Sequence, residues 1–170
     1  MKLLIAVLGL SLCLSGCGYQ IAGKADMMPK DLRIIAVPAF RNVTTQYKLS
    51  DYLAEAVTRE LNTRTKYHVV ADPKGSDAVL TGAVANFFSF PTVFDPVTGR
   101  GTGVQAILQL QVRLMDKSGK ILYDRPNFEI RERYEISTDP KQYFDESPAA
   151  MQRLARDAAR SIVSAVLEKF

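Results

Sequence analysis

The residues with most chemistry to offer sit near the start of the chain, at Leu14-Ser15-Gly16-Cys17. A medium-sized apolar residue three places before a cysteine fits a signal-peptidase pocket, and Ser15 and Gly16 are small enough to let the backbone into the cleavage site. Cys17 supplies the one side chain there able to carry a thioether-linked diacylglycerol. Upstream, Lys2 provides a positive n-region and Leu3 to Leu12 an apolar h-region, so the stretch has the form of a bacterial lipoprotein signal. A membrane span is disfavoured, since the apolar run from Leu3 extends as far as position 18 only if Gly16 to Gly18 are counted. The expected division is a signal peptide over 1–16, a lipidated linker over 17–30 and a single domain over 31–170. No cofactor is called for beyond the covalent diacylglycerol and N-acyl chain on Cys17. Cys13 leaves with the signal and Cys17 is consumed by acylation, so no thiol remains for a disulfide, a metal site or a nucleophile.

Elsewhere catalytic constellations are missing. His68 is the sole histidine and stands in an apolar strand pattern, where a general base would also need a partner in reach. Gly99-Arg100-Gly101-Thr102-Gly103 lacks the lysine of a phosphate loop and precedes a strand rather than a helix, so it reads as a hairpin tip. Asp145 and Glu146 are adjacent carboxylates ahead of a helix, where negative charge suits the dipole. No Cys or His pair has metal-ligand spacing. The net charge of +4 over 170 residues is far from the dense cationic character of a nucleic-acid binder. The chain reads as a non-enzyme with no metal and no nucleic-acid partner.

The elements that would position a binding surface are legible from periodicity. Ile34-Ile35-Ala36-Val37, closed by Pro38, is a buried strand by its length and β-branching. Arg41 to Gln46 reads as polar loop. Leu49, Tyr52, Leu53, Ala56, Val57 and Leu61 form one stripe of a helix, for which Ser50 or Thr45 is a candidate cap. Tyr67 to Val70 is a short strand, and strand-helix-strand predicts a parallel pair. Asp77 to Phe90 is a further strand with Gly82 as a bulge or twist point. From Val104 to Leu114 apolar residues alternate strictly with polar ones, the mark of a half-buried strand. From Phe128 the alternation repeats, with Glu132 as the misfit on the apolar side. Ser147-Pro148 opens a last helix, with Arg153, Arg156 and Arg160 on its polar, solvated face.

These elements assemble into an α+β fold: two amphipathic helices packed on one face of a mixed four- to five-stranded sheet, an α/β sandwich. Two surfaces remain as candidates. Arg113, Arg131 and Arg133 share the helix-free sheet face, where guanidinium groups suit the phosphates of a glycolipid. Phe90, Pro91, Phe94 and Pro96 lie in an apolar loop that either meets a partner or folds back on its own sheet edge.

Cys17-Gly18-Tyr19, a spacer, then Ile34-Ile35-Ala36-Val37-Pro38-Ala39-Phe40-Arg41-Asn42-Val43-Thr44 resembles the start of the LptE family of lipopolysaccharide-assembly lipoproteins. The likeness continues through Tyr67-His68-Val69-Val70, Asp77-Ala78-Val79-Leu80-Thr81-Gly82 and Arg133-Tyr134-Glu135. It implies a protein on the inner leaflet of the outer membrane, held by its lipid anchor. It also implies a plug role inside the β-barrel lipopolysaccharide translocon, an LptD-like subunit, with lipopolysaccharide as ligand. Under that resemblance the Phe/Pro loop is placed to contact the barrel. A strand ending in Ala-Val-Pro, an Asn-Val-Thr turn and an amphipathic helix also occur in other envelope assembly domains, which gives the alternative: a lipid-anchored subunit of a different secretion machine, binding protein rather than glycolipid.

Overall fold

The computed structural model describes residues 32–137 and 147–169. The leader, Cys17, the 17–30 linker and the Asp145-Glu146 pair lie outside the described residues. Strand β1 (Ile34–Ala36) is flanked by β3 (His68–Val70) on one side and β4 (Ala78–Phe94) on the other, both parallel to it. A strand with neighbours on both edges and helices overhead is buried, which is why Ile35, Ala36 and Val37 are continuously apolar. Beyond β4 the chain meanders antiparallel through β5 (Gly101–Asp116) and β6 (Ile121–Glu135), giving the order β3-β1-β4-β5-β6. Strand and helix assignments thus reproduce the expected sandwich.

Three details of the sheet differ from the sequence expectation. The sheet has six strands rather than four or five, because Arg41–Asn42 forms a two-residue strand, β2, parallel to β4 at Ala83 and Val84. Its polar sequence hides it: backbone groups make the pairing, while the Asn42 side chain accepts from Thr44 N at 2.8 Å and donates to Gln46 O at 2.8 Å to turn the chain away. Gly82 is not at a bulge; the register shifts fall after Val84 and around Val93. Gly82 instead makes room for the buried Phe40 ring, whose nearest atom would lie 2.0 Å from an added Cβ. Strand β6 also starts earlier than Phe128, accommodating Pro126 at a register shift on the sheet's outer strand.

Helix α1 (Leu49–Arg64) buries Leu49, Leu53, Val57 and Leu61, as its period dictates. Neither Ser50 nor Thr45 caps it. Lys48 occupies the cap position without a side-chain bond, the Leu49 and Ser50 amides bond back to Gln46 and Tyr47, and the Ser50 hydroxyl donates to the Phe40 carbonyl. Helix α2 (Ser147–Glu168) presents a wider apolar stripe in which Ala150, Ala155, Ala158 and Ala159 are fully buried. Arg64 Nη1 donates to Ser164 Oγ at 2.8 Å, while Leu49 and Ser147 line one cleft at the other end, so the helices run parallel to each other. Core residues of β5, Val104 to Leu114 at every second position, all face this helix layer.

Candidate functional site

The helix-free face of the sheet is set by register. On β4, β5 and β6 the row Phe88–Ile107–Arg131 lies beside the row Phe90–Gln105–Arg133, followed by Asn86–Gln109–Glu129. Two of the three expected arginines therefore share a patch with two exposed phenylalanines. The third does not. Arg113 sits opposite Asp124, six residues along β5 from Ile107 and hence roughly 20 Å from the Arg131 row.

The arginines also differ electrostatically. Arg113 is held in a fork by Asp124, with Nε–Oδ1 3.1 Å and Nη2–Oδ2 3.2 Å, which raises its pKa further through the hydrogen bond and the carboxylate charge. Arg131 pairs along its own strand with Glu129 at 2.7 Å. Hydrogen bonds from Arg131 and then Gln109 hold the Glu129 carboxyl below its ordinary pKa. Arg133 is exposed and makes no ion pair among the described residues. A ligand anion would find Arg133 ready, Arg131 shared and Arg113 already satisfied.

The expected apolar loop is mostly strand. Phe90, Pro91 and Phe94 lie in β4, whose pairing to β5 runs to Phe94 opposite Gly101. Pairing continues through this stretch because glycines face it: a Cβ at Gly101 would come within 2.7 Å of Pro91, and one at Gly103 within 2.9 Å of Val93. Only Asp95 to Arg100 turns. There the Asp95 carboxylate accepts from the Thr98 amide at 2.6 Å, its hydroxyl at 2.9 Å and the Val97 amide at 2.9 Å, which lowers its pKa and fixes the turn. Gly99, at φ 67°, closes it. Pro96 belongs to this turn, separate from the strand residues it was grouped with.

The arm does not fold back on itself. Of the eight large apolar residues that are well exposed among the described residues, five fall between Phe88 and Val97, Val97 being 91% exposed. Phe88 and Ile107 belong to this surface and were not singled out from sequence, while Val93 and Val97 lie within the apolar stretch read from it. The alternation in Phe87-Phe88-Ser89-Phe90 carried a signal for the first, since one of two adjacent phenylalanines in a strand must face away from the core. On the opposite face Phe87 and Ser89 wall a cleft of about 320 Å³, with Tyr47, Tyr52, Tyr134 and Met151.

The remaining candidates are structural. Glu132 faces the helices and pairs with Arg153 Nε at 2.6 Å, which accounts for the misfit and removes Arg153 from the solvated face. Arg156 and Arg160 do stay exposed, beside the α1–α2 groove. His68 is exposed on the outer strand β3. Among the described residues no group of His, Cys, Asp or Glu is arranged to hold a metal ion, and no helix is long and apolar enough to cross a membrane.

Many solved structures share the fold, three of them as follows. The lipoprotein B structure from Nitrosomonas europaea superposes with a TM-score of 0.54 at 14% identity, covering 78% of this chain and 81% of that one. Rare lipoprotein B from Shewanella oneidensis gives 0.53 at 15% identity, covering 80% and 95%. PelC from Paraburkholderia phytofirmans, crystallised as a dodecamer, gives 0.53 at 14% identity, covering 79% and 86%. No curated protein matches the sequence. The family model for LptE, described as lipopolysaccharide-assembly, matches residues 32–166, nearly all of the described domain. The chain belongs to the LptE lipopolysaccharide-assembly family.

Proposed function

We propose that this chain is an outer-membrane lipoprotein, acylated at Cys17 and exposed to the periplasm. In this reading it plugs and helps assemble an LptD-like β-barrel translocon and assists delivery of lipopolysaccharide to the outer leaflet. The observation that carries the reading is the family match over residues 32–166. Membership in an assembly family also makes the protein a non-enzyme. Two surface features agree with the reading. The Arg131–Arg133 patch offers guanidinium groups to glycolipid phosphates beside the apolar Phe88 and Phe90. The β4–β5 arm offers Phe90, Pro91, Phe94 and Pro96 to the barrel.

The test is mild-detergent extraction of the envelope and capture through a C-terminal tag. One large outer-membrane β-barrel at about one copy per copy supports the plug reading, and Cys17→Ser should release the protein from the membrane fraction. The alternative, a subunit of another envelope machine, draws on the equal fold likeness to dodecameric PelC. It predicts a captured species of many copies and no barrel.

A further inference from the structure

Strand β4 has one edge paired to β5 along its whole length. Its other edge is paired to β1 at Ala78–Val79 and to β2 at Ala83–Val84. Past the bulge at Ala85 no strand among the described residues covers that outer edge, and the free run extends to Pro91, which has no N–H to offer. Exposed strand edges are ordinarily guarded by charge. The other long outer strand obeys this: seven of the 15 residues of β6 are charged. Of the 17 residues of β4, none is. The contrast is between two edges of one sheet, so it is a property of this edge and not of the protein's composition.

We propose that the β4 edge from Asn86 to Phe90 is a docking strand, which takes an extended segment of a partner protein as an added strand in line with β2. A row of backbone amides and carbonyls has only one good complement, another extended backbone; acyl chains and sugars cannot satisfy it in sequence. Side-chain features on both faces suit a segment with apolar residues at alternate positions. On the helix side Phe87 and Ser89 open into the cleft with Tyr47 and Tyr52, and on the other side stand the exposed rings of Phe88 and Phe90. The bulge and Pro91 set the ends of the slot.

A second copy of this chain fits poorly. Antiparallel self-pairing centred on Phe88 sets Val84 of one copy opposite Thr92 of the other. Because β2 lies on the same edge at Ala83–Val84, it would then collide with the other copy's Thr92–Val93. A closed barrel wall has no free edge to donate, so the segment would come from a loop or terminal stretch of the partner.

The inference rests on the reading that the chain works against a protein partner in the envelope, and the experiment separates the two. A photoreactive phenylalanine analogue is placed singly at positions 86 to 90 of the full-length chain in cells, with Gln111 as control and each variant's thermal midpoint checked. The expected result is adducts to one partner chain whose attachment sites move in register along a single segment as the position moves, with none from Gln111. In the captured complex the amides of 86–90 should exchange at least about tenfold more slowly than in the free chain. Capture of a partner with adducts lacking register, adducts to lipid or to a second copy, or no adducts at all, overturns the docking strand while leaving the envelope reading intact. Failure of capture itself overturns that reading, and this inference with it.

Discussion

Gly82 and Phe40 provide the sharpest test of the packing argument. Substituting Gly82→Ala introduces one methyl group, which would stand 2.0 Å from Phe40 Cε1, 2.2 Å from Cδ1 and 2.6 Å from Cζ. Ordinary carbon contacts begin near 3.5 Å, so the ring must retreat by well over about an ångström. It has nowhere easy to go: Phe40 is 2% exposed, and the Ser50 hydroxyl ties its carbonyl to the start of α1. Overpacking a filled site costs about 1–3 kcal/mol, and an obstructing ring held by its backbone puts Gly82→Ala at the upper end, about 2–3 kcal/mol. For a domain of this size that lowers the thermal midpoint by roughly 6–12 °C. The assay is urea unfolding followed by far-UV circular dichroism, since the chain has no tryptophan. Phe40→Ala alone leaves a cavity and costs about 3–5 kcal/mol. In the double variant the alanine methyl enters the vacated space, so the two losses should fall short of their sum by at least about 1 kcal/mol. Additive losses, or a Gly82→Ala protein as stable as the original, would refute the claim that this glycine exists to seat the ring.

Arg153→Ala should destabilise by about 1–2 kcal/mol, because it leaves the largely covered Glu132 carboxylate without its ion pair, and Glu132→Ala in the same chain should recover part of the loss in the same urea assay. Stability should also fall in acid. Asp77 is held low mainly by the Arg33 and Ile34 amides, Asp116 mainly by Ser118, and Asp95 and Glu129 as described above. Depressed folded-state values stabilise fully above the unfolded carboxylate range near about pH 4, and that contribution is lost as pH falls through the folded values. Asp77→Asn should therefore narrow the gap between urea midpoints measured at neutral and at acid pH; an unchanged gap would remove Asp77 from the account. Charge reversal at Arg131 and Arg133 together should weaken lipopolysaccharide binding by at least about tenfold. Arg113→Ala, already matched by Asp124 and distant along β5, should leave it unchanged; the reverse ranking would sink the assignment.

The parts of the fold read correctly from sequence are those where one side chain period decides the outcome. Val104 to Leu114 alternates because β5 lies mid-sheet with helices on one side only, and Leu49 to Leu61 repeats at helical spacing because α1 covers that side. What escaped was fixed by backbone pairing or by distant contacts. Strand β2 has no hydrophobic signature, since its two residues, Arg41 and Asn42, are held by main-chain bonds to a segment some forty residues away. Gly82 looked like a bulge because its partner, Phe40, is remote in sequence. Glu132 looked misplaced because Arg153 comes from another element. At the site, alternation puts Arg113, Arg131 and Arg133 on one sheet face, but it says nothing about distance along the strand or about Asp124 opposite Arg113, so it grouped a residue that stands apart.

The topology also bears on how the two ends of the domain divide their work. Strand β1 enters beside the start of β4, at Ile35 opposite Ala78, and both helices finish at that same end. From Ala78 to Phe94 the strand rises roughly 50 Å, so the aromatic arm and its turn stand at the far end from the entering chain. On the proposed acylation at Cys17, about 15 residues separate the lipid from the first described residue, a span that reaches at most roughly 50 Å when fully extended. Only by inverting the domain and drawing the linker to nearly its full length would the anchor bring the tip of the arm to its own membrane leaflet. Standing upright, the domain presents Phe90, Phe94 and the open β4 edge well away from the lipid headgroups, where only something that projects from the membrane can meet them. A protein that spans or protrudes from the same bilayer satisfies that geometry. Lipid alone does not.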